Sequence, residues 1–252
     1  MPRICRLPLF AASVALASSA YAAPPQDQVH GGDSARPVLV ELFTSQGCNS
    51  CPPADAFLGE LARRPGVLAL AFHVDYWNGL GWKDPFSSAD ATARQNDYAK
   101  RLGKRSIYTP QLVVDGSADA VGSDRADVDE LIAAARRHAP AGPTIEIAAD
   151  GQGGRVARLG AAETGADKTG TGSQATVWLA SYDKSHVTPV GRGENGGRTL
   201  TEYQVVRSLI RLGDWTGTAA EFPLPKFDGE SAILFVQPDQ PGPMLAAKDL
   251  AG

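Results

Sequence analysis

The sequence predicts an α/β domain followed by a smaller, mainly antiparallel β domain. Three observations carry this. Two nearly continuous apolar runs, residues 38–43 (VLVELF) and 67–74 (VLALAFHV), flank a helical segment at residues 54–64, the pattern of a βαβ unit with a buried pair of strands. The stretch APAGP at residues 139–143 shifts the composition and reads as a domain boundary. Beyond it, short strand-like runs recur between loops rich in Gly, Thr and Asp, the spacing of a small antiparallel sandwich or barrel.

Taken in order, residues 38–43 form a strand interrupted only by Glu41, and GCNSCPP at residues 47–53 joins it to the first helix. Pro52 and Pro53 suit a first helical turn, where backbone amides have no intrahelical acceptor and their loss costs little. Pro65 and Gly66 stop the helix, and the second strand follows, ending at His73 and Val74. A right-handed crossover sets the end of that strand beside the loop carrying the cysteines. Residues 75–88 (DYWNGLGWKDPFSS) are a loop dense in aromatics and turn residues. Ser87, with Asp90 three residues on, opens a second helix that contains Ala91, Arg94, Tyr98 and Leu102 and ends at Gly103. Thr109 and Pro110 precede a strand at 112–114, Asp115 and Gly116 make a hairpin turn, and a short strand follows at 118–121. Ser123 or Asp124 then caps a helix reaching about His138. In the second domain, residues 144–252, strands are expected at 144–148, 156–161, 175–182, 205–212 and 233–236. Residues 201–212 also fit helical spacing, and we read them as strand.

The N-terminus has the order of a secretory leader: Arg3 and Arg6, an apolar stretch at 7–17, then Ala20, Tyr21 and Ala22, with cleavage expected after Ala22. The apolar stretch is too short to span a bilayer. A periplasmic or secreted protein is implied, with residues 23–36 as a flexible tail and residues 37–140 as the first domain. Cleavage removes Cys5 and leaves Cys48 and Cys51 with only each other as intramolecular partners. A net charge of −4 and a pI near 5.6 argue against a nucleic-acid or anionic-membrane partner, which would want a basic patch.

A CxxC pair opening a helix has three readings. Unpaired first-turn amides and the positive end of the helix dipole favour a thiolate at Cys48, with Cys51 one turn into the helix as its partner in a redox-active disulfide. A zinc site needs about four ligands, and the chain has no second CxxC to complete the set. A structural bridge over so short a loop removes little unfolded-state entropy. CxxC within a βαβ pattern favours the redox reading. Gly191, Gly193 and Gly196 satisfy GxGxxG, but their flanks read as antiparallel β, so a solvated turn or a contact to the first domain is expected there.

The element order, with CxxC before the first helix and Thr109-Pro110 before the third strand, resembles the thioredoxin fold. TSQGCNSCPPAD, FHVDYWNGLGWKDPF, YTPQLVVDG and RGENGGR are similar to segments of exported bacterial proteins catalogued as domain of unknown function 1223. The resemblance implies a cis Thr109-Pro110 bond packed on the dithiol, with Thr109 presenting its backbone to a thiol substrate. It also implies Cys48 as nucleophile, Cys51 as resolving thiol and Glu41, on the preceding strand, as proton relay. His73 and Asp75 could serve instead of Glu41, and Tyr76, Trp77 and Trp82 form a local mini-core or an apolar rim at the dithiol. The expected function is thiol–disulfide exchange with a substrate protein or small thiol and an unidentified redox partner, without further cofactor. The alternative is a copper protein holding Cu(I) through Cys48, Cys51 and His73.

Overall fold

The computed structural model describes Met1, residues 36–162 and residues 174–250. The expected leader beyond Met1, its cleavage site and the tail through residue 35 lie outside the described residues. No helix among the described residues is long and apolar enough to cross a membrane.

β1 (Val38–Thr44) and β2 (Val67–His73) pair in parallel around α1 (Pro52–Leu61), as the two apolar runs dictate. α1 buries Ala54, Phe57, Leu58 and Leu61, a stripe of helical period, against Val40 and Leu42 of β1 and Ala69 and Ala71 of β2. The aromatic loop contains one turn of 3-10 helix, Asn78–Leu80. α2 (Ala89–Arg101) follows; its cap is Ser88, one residue later than the spacing suggested, with the side chain accepting from the Ala91 amide. β3 (Gln111–Val114) and β4 (Ala118–Val121) make a hairpin turned by Asp115 and Gly116, both at positive φ. α3 (Arg125–Arg137) is capped by Asp124.

After α3 come β5 (Ile145–Ala149), β6 (Arg155–Leu159), β7 (Ala175–Pro189) and β8 (Thr199–Trp215). β9 (Ala220–Leu224), β10 (Ser231–Pro238) and β11 (Ala246–Asp249) complete the chain. β9 and β11 were not expected, and residues 201–212 are strand, within β8. The architecture is mixed α/β: an eight-stranded sheet of order β11-β10-β7-β8-β2-β1-β3-β4 and a three-stranded antiparallel sheet β5-β6-β9.

The boundary expected at residues 139–143 does not divide the strands into two separate domains. β8 pairs in parallel with β2 at Ala71 and Val205, so β7, β8, β10 and β11 continue the sheet begun by β1 to β4. The described residues from Arg36 on form one compact unit. Sequence periodicity finds strands but not their partners, and here the open edge of β2 recruits one from the far half of the chain. One face of the large sheet packs on α1 and α3, the other on α2. The small sheet covers Val177, Leu179, Leu234 and Val236 through Ala157, Leu159 and Phe222, the sandwich-like part of the expectation.

Candidate functional site

Cys48 and Cys51 form a disulfide, with Cα atoms 5.5 Å apart, at the start of α1. The helix begins at Pro52, after both cysteines. Pro52 and Pro53 occupy its first two positions and Cys51 is the N-cap, so Cys48 lies in the turn ahead of the helix and Cys51 is not one turn in. Prolines favour N1 and carry no amide, so the first amides to bond the Cys51 carbonyl are those of Ala54 and Asp55, at 2.8 and 3.1 Å. The Ser50 hydroxyl lies 3.3 Å from Cys48 Sγ. Both cysteines are 0% exposed, whereas Asn49 and Ser50 between them are exposed.

Strand parity decides which way each side chain of β1 faces. Val40, Leu42 and Thr44 of β1 face α1, while Leu39, Glu41 and Phe43 face α2. Glu41 therefore points away from the cysteines. It accepts from Arg94 Nε at 2.6 Å and from the Tyr98 hydroxyl. Arg94 is in turn enclosed by the rings of Phe72, Tyr98, Trp178 and Phe235, 5.0 to 5.9 Å away. This buried ion pair is a core feature, and the side of β1 on which Glu41 lies does not suit the proton-relay role expected for it.

Asp55 stands one helical turn after Cys51, on the same face of α1, and its Oδ1 accepts from the Thr44 hydroxyl at 2.7 Å. Burial raises its pKa from 3.8 to about 7, partly offset by His73 and by the Thr44 hydrogen bond. His73 closes β2 opposite Thr44 in the register, and its Nδ1 lies 2.7 Å from Asp84 Oδ2. Burial opposes protonation of this imidazole, but Asp84, Asp55 and Glu202 together raise its pKa above the ordinary value. Glu202 of β8 is pushed up by burial, against the attraction of His73. His73 Nε2 and Glu202 Oε2 are buried without a hydrogen-bond partner. Asp55, Asp84, Glu202 and His73 thus form one buried, electrostatically coupled cluster of three acids and a base.

The loops meet around it. The Thr109–Pro110 bond is cis, and Trp77 Nε1 donates to Thr109 Oγ1 at 2.9 Å. The same Trp77 abuts the cysteine loop: a Cβ placed on Gly47 would lie 3.0 Å from Trp77 Cβ. Trp82 donates to Gln46 Oε1 at 2.9 Å, and Gln46 Nε2 donates to Glu202 at 2.9 Å. The aromatics thus pin the cysteine loop and the Thr-Pro loop together. Tyr76, 40% exposed, donates to Gln95, and Asp75 is tied to Thr92 of α2, away from the cysteines.

The GxGxxG stretch is the turn between β7 and β8. Gly193 adopts φ 76°, and a Cβ there would meet Trp82 Cβ at 3.1 Å. The turn packs on the cysteine loop: Asn195 Nδ2 donates to the carbonyls of Gln46 and Cys48, each at 2.9 Å, and Glu194 accepts from the Asn49 amide at 3.1 Å. Of the expected roles for residues 192–198, the contact to the first half of the chain is the one realised. A groove of about 400 Å³ lies elsewhere, between α2 and the sheet, where its Arg101 is held by the carbonyls of Pro238, Asp239 and Gln240.

The sequence reading missed Asp55, Gln46, Asp84, Glu194, Asn195 and Glu202. Asp55 was within reach, since it follows Cys51 at helical spacing. The partners from the β7–β8 turn and from β8 carry no local signal.

A model of proteins of unknown function, DUF1223, matches residues 39–237. The chain belongs to the DUF1223 family. A crystal structure of a protein from Agrobacterium tumefaciens is 27% identical, superposes with a TM-score of 0.68, and is covered over 93% of its length by 84% of this chain. The structure of HBP35 of Porphyromonas gingivalis shares the fold, with a TM-score of 0.54 at 15% identity over 85% of this chain and 74% of that one. No curated protein matches the sequence.

Proposed function

We propose that this protein is an exported thiol–disulfide oxidoreductase built on a thioredoxin-like arrangement over residues 37–140. The observation that carries the reading is the seat of the disulfide: Cys48–Cys51 at the start of α1, with a buried carboxyl one turn behind it. The cis Thr109–Pro110 loop joined to the cysteine loop through Trp77 supports it. In the oxidised protein a substrate thiolate attacks Cys48 Sγ, the Cys48–Cys51 bond breaks, and Cys51 leaves as a thiolate that takes a proton from Asp55. A second substrate thiolate then attacks the substrate sulfur of the mixed disulfide and Cys48 leaves as a thiolate. Two electrons pass to the protein and the substrate becomes a disulfide. Run backwards, Cys51 gives its proton to Asp55 and expels the substrate, a step assisted by the proximity of the two sulfurs. With a pKa of about 7, Asp55 is placed to act in both directions.

Equilibration in graded glutathione buffers, followed by alkylation and mass counting, tests this. A reversible two-electron transition between roughly −120 and −270 mV is expected, and a pair that stays oxidised throughout would be a structural bridge and end the reading. Asp55→Asn should slow resolution of the mixed disulfide by about a hundredfold near neutral pH.

One competing reading, a Cu(I) site made by reduced Cys48 and Cys51 with His73, has the unpartnered His73 Nε2 in its favour, although no group of three metal-ligating side chains lies together among the described residues. His73→Ala abolishes copper affinity if that reading holds and leaves exchange largely intact if it does not.

A further inference from the structure

Exchange needs an accessible sulfur, yet Cys48 is 0% exposed while its neighbours Asn49 and Ser50 are exposed. The β7–β8 turn lies against the loop that carries it. Asn195, itself 0% exposed, spends both amide hydrogens on the carbonyls of Gln46 and Cys48. The turn is held in shape by its own bonds: Gly197 N to Val190 O at 2.8 Å, Val190 N to Arg198 O at 2.9 Å, and Arg198 Nη1 to Asn195 Oδ1 at 2.7 Å. Trp82 fits against Gly191 and Gly193 and ties the turn to the aromatic loop.

Glu194 makes this more than packing. Its carboxylate accepts from the amide of Asn49, the residue directly after Cys48. That amide is a local donor that could steady a developing thiolate, and here it is engaged by a group that is already negative. A negative charge beside a thiol disfavours ionisation. Two first-turn amides of α1 are absent through Pro52 and Pro53, so few donors remain to compensate.

Resting on the oxidoreductase reading, we infer that the β7–β8 turn is a built-in cap on the dithiol, with Glu194 as the residue that restrains Cys48 while the cap is closed. A substrate that draws the turn away frees the Asn49 amide, removes the Glu194 charge and uncovers Cys48 in one movement. The other titratable or charged groups gathered around the cysteine loop are Asp55 of α1, His73 of β2, Asp84 of the aromatic loop, Glu202 of β8, and Arg192 and Arg198 of the turn itself. None of them is altered in the test.

The test is the pH profile of alkylation of Cys48 in the reduced, full-length protein, read by peptide mass, for wild type, Glu194→Gln and Glu194→Ala. Glu194 is exposed, so both variants keep the fold. Glutamine can still accept from the Asn49 amide but carries no charge. It should lower the pH midpoint and raise the rate near neutrality about two- to fivefold, the size of an exposed charge interaction, with the high-pH rate unchanged. Alanine should lower the midpoint and also raise the high-pH rate, because the turn loses its hold. Midpoints equal to wild type in both variants overturn the proposal, whatever the plateau. Lowered midpoints without a reversible potential end the oxidoreductase reading and leave the cap standing; a reversible potential with unshifted midpoints does the opposite.

Discussion

Replacing Asp55 by asparagine is the most informative single change. In the folded chain burial holds the Asp55 pKa at about 7, against 3.8 for the free side chain. An acid whose pKa rises on folding binds its proton more tightly in the native than in the unfolded chain. Its contribution is therefore fully present below about pH 4 and is lost as pH rises through about 7. The displacement from 3.8 to about 7 is worth about 4 kcal/mol, more than half of which falls between about pH 5 and about pH 8. Asparagine has nearly the same shape, keeps an oxygen for the Thr44 hydroxyl, and does not titrate. Urea unfolding of the two oxidised proteins across that range should show the variant gaining about 2 to 3 kcal/mol on wild type. Groups common to both proteins cancel, except for the coupling of Asp55 to His73, Asp84 and Glu202. A difference that stays flat, or that moves in favour of wild type as pH rises, refutes the near-neutral carboxyl and removes the basis for its proton transfer to Cys51.

Three further changes separate the core from the site. Arg94→Met leaves the Glu41 carboxylate buried without its cation and should cost about 3 to 5 kcal/mol in chemical denaturation, whereas Glu41→Gln should leave the dithiol exchange rate at its wild-type value. A measurable slowing by Glu41→Gln would return Glu41 to the proton path. Gly59→Ala places a Cβ 2.5 Å from the Tyr203 ring of β8 and should lower stability by about 1 to 3 kcal/mol, read as a drop in urea midpoint at unchanged slope.

The first half of the chain was legible because its signals are local. Apolar runs gave β1 and β2, Asp115-Gly116 gave the β3–β4 turn, and Asp124 gave the start of α3. The second half was legible as strands but not as a sheet, since pairing of Val205 with Ala71 leaves no mark on either segment. Glu41 misled for a physical reason: an acid in a buried strand invites a role at the nearest reactive group, but odd and even positions of β1 face opposite ways. Arg94, four residues before Tyr98 on α2, carried the information that Glu41 already had a partner. Glu194 and Asn195 were unreachable, because a glycine-rich turn announces its shape and not the surface it lies on.

The parallel pairing of β2 with β8 also sets an order of events for a chain made from its N-terminus. β1, α1, β2 and the β3–β4 hairpin can assemble as soon as they exist, but the outer edge of β2 keeps its backbone amides and carbonyls unpaired until Val205 has been synthesised. Such an edge is a template for another strand, from a neighbouring chain if none comes from its own. A fragment ending after α3 would therefore carry both cysteines together with an adhesive border. It is expected to self-associate, and redox measurements belong on the whole protein.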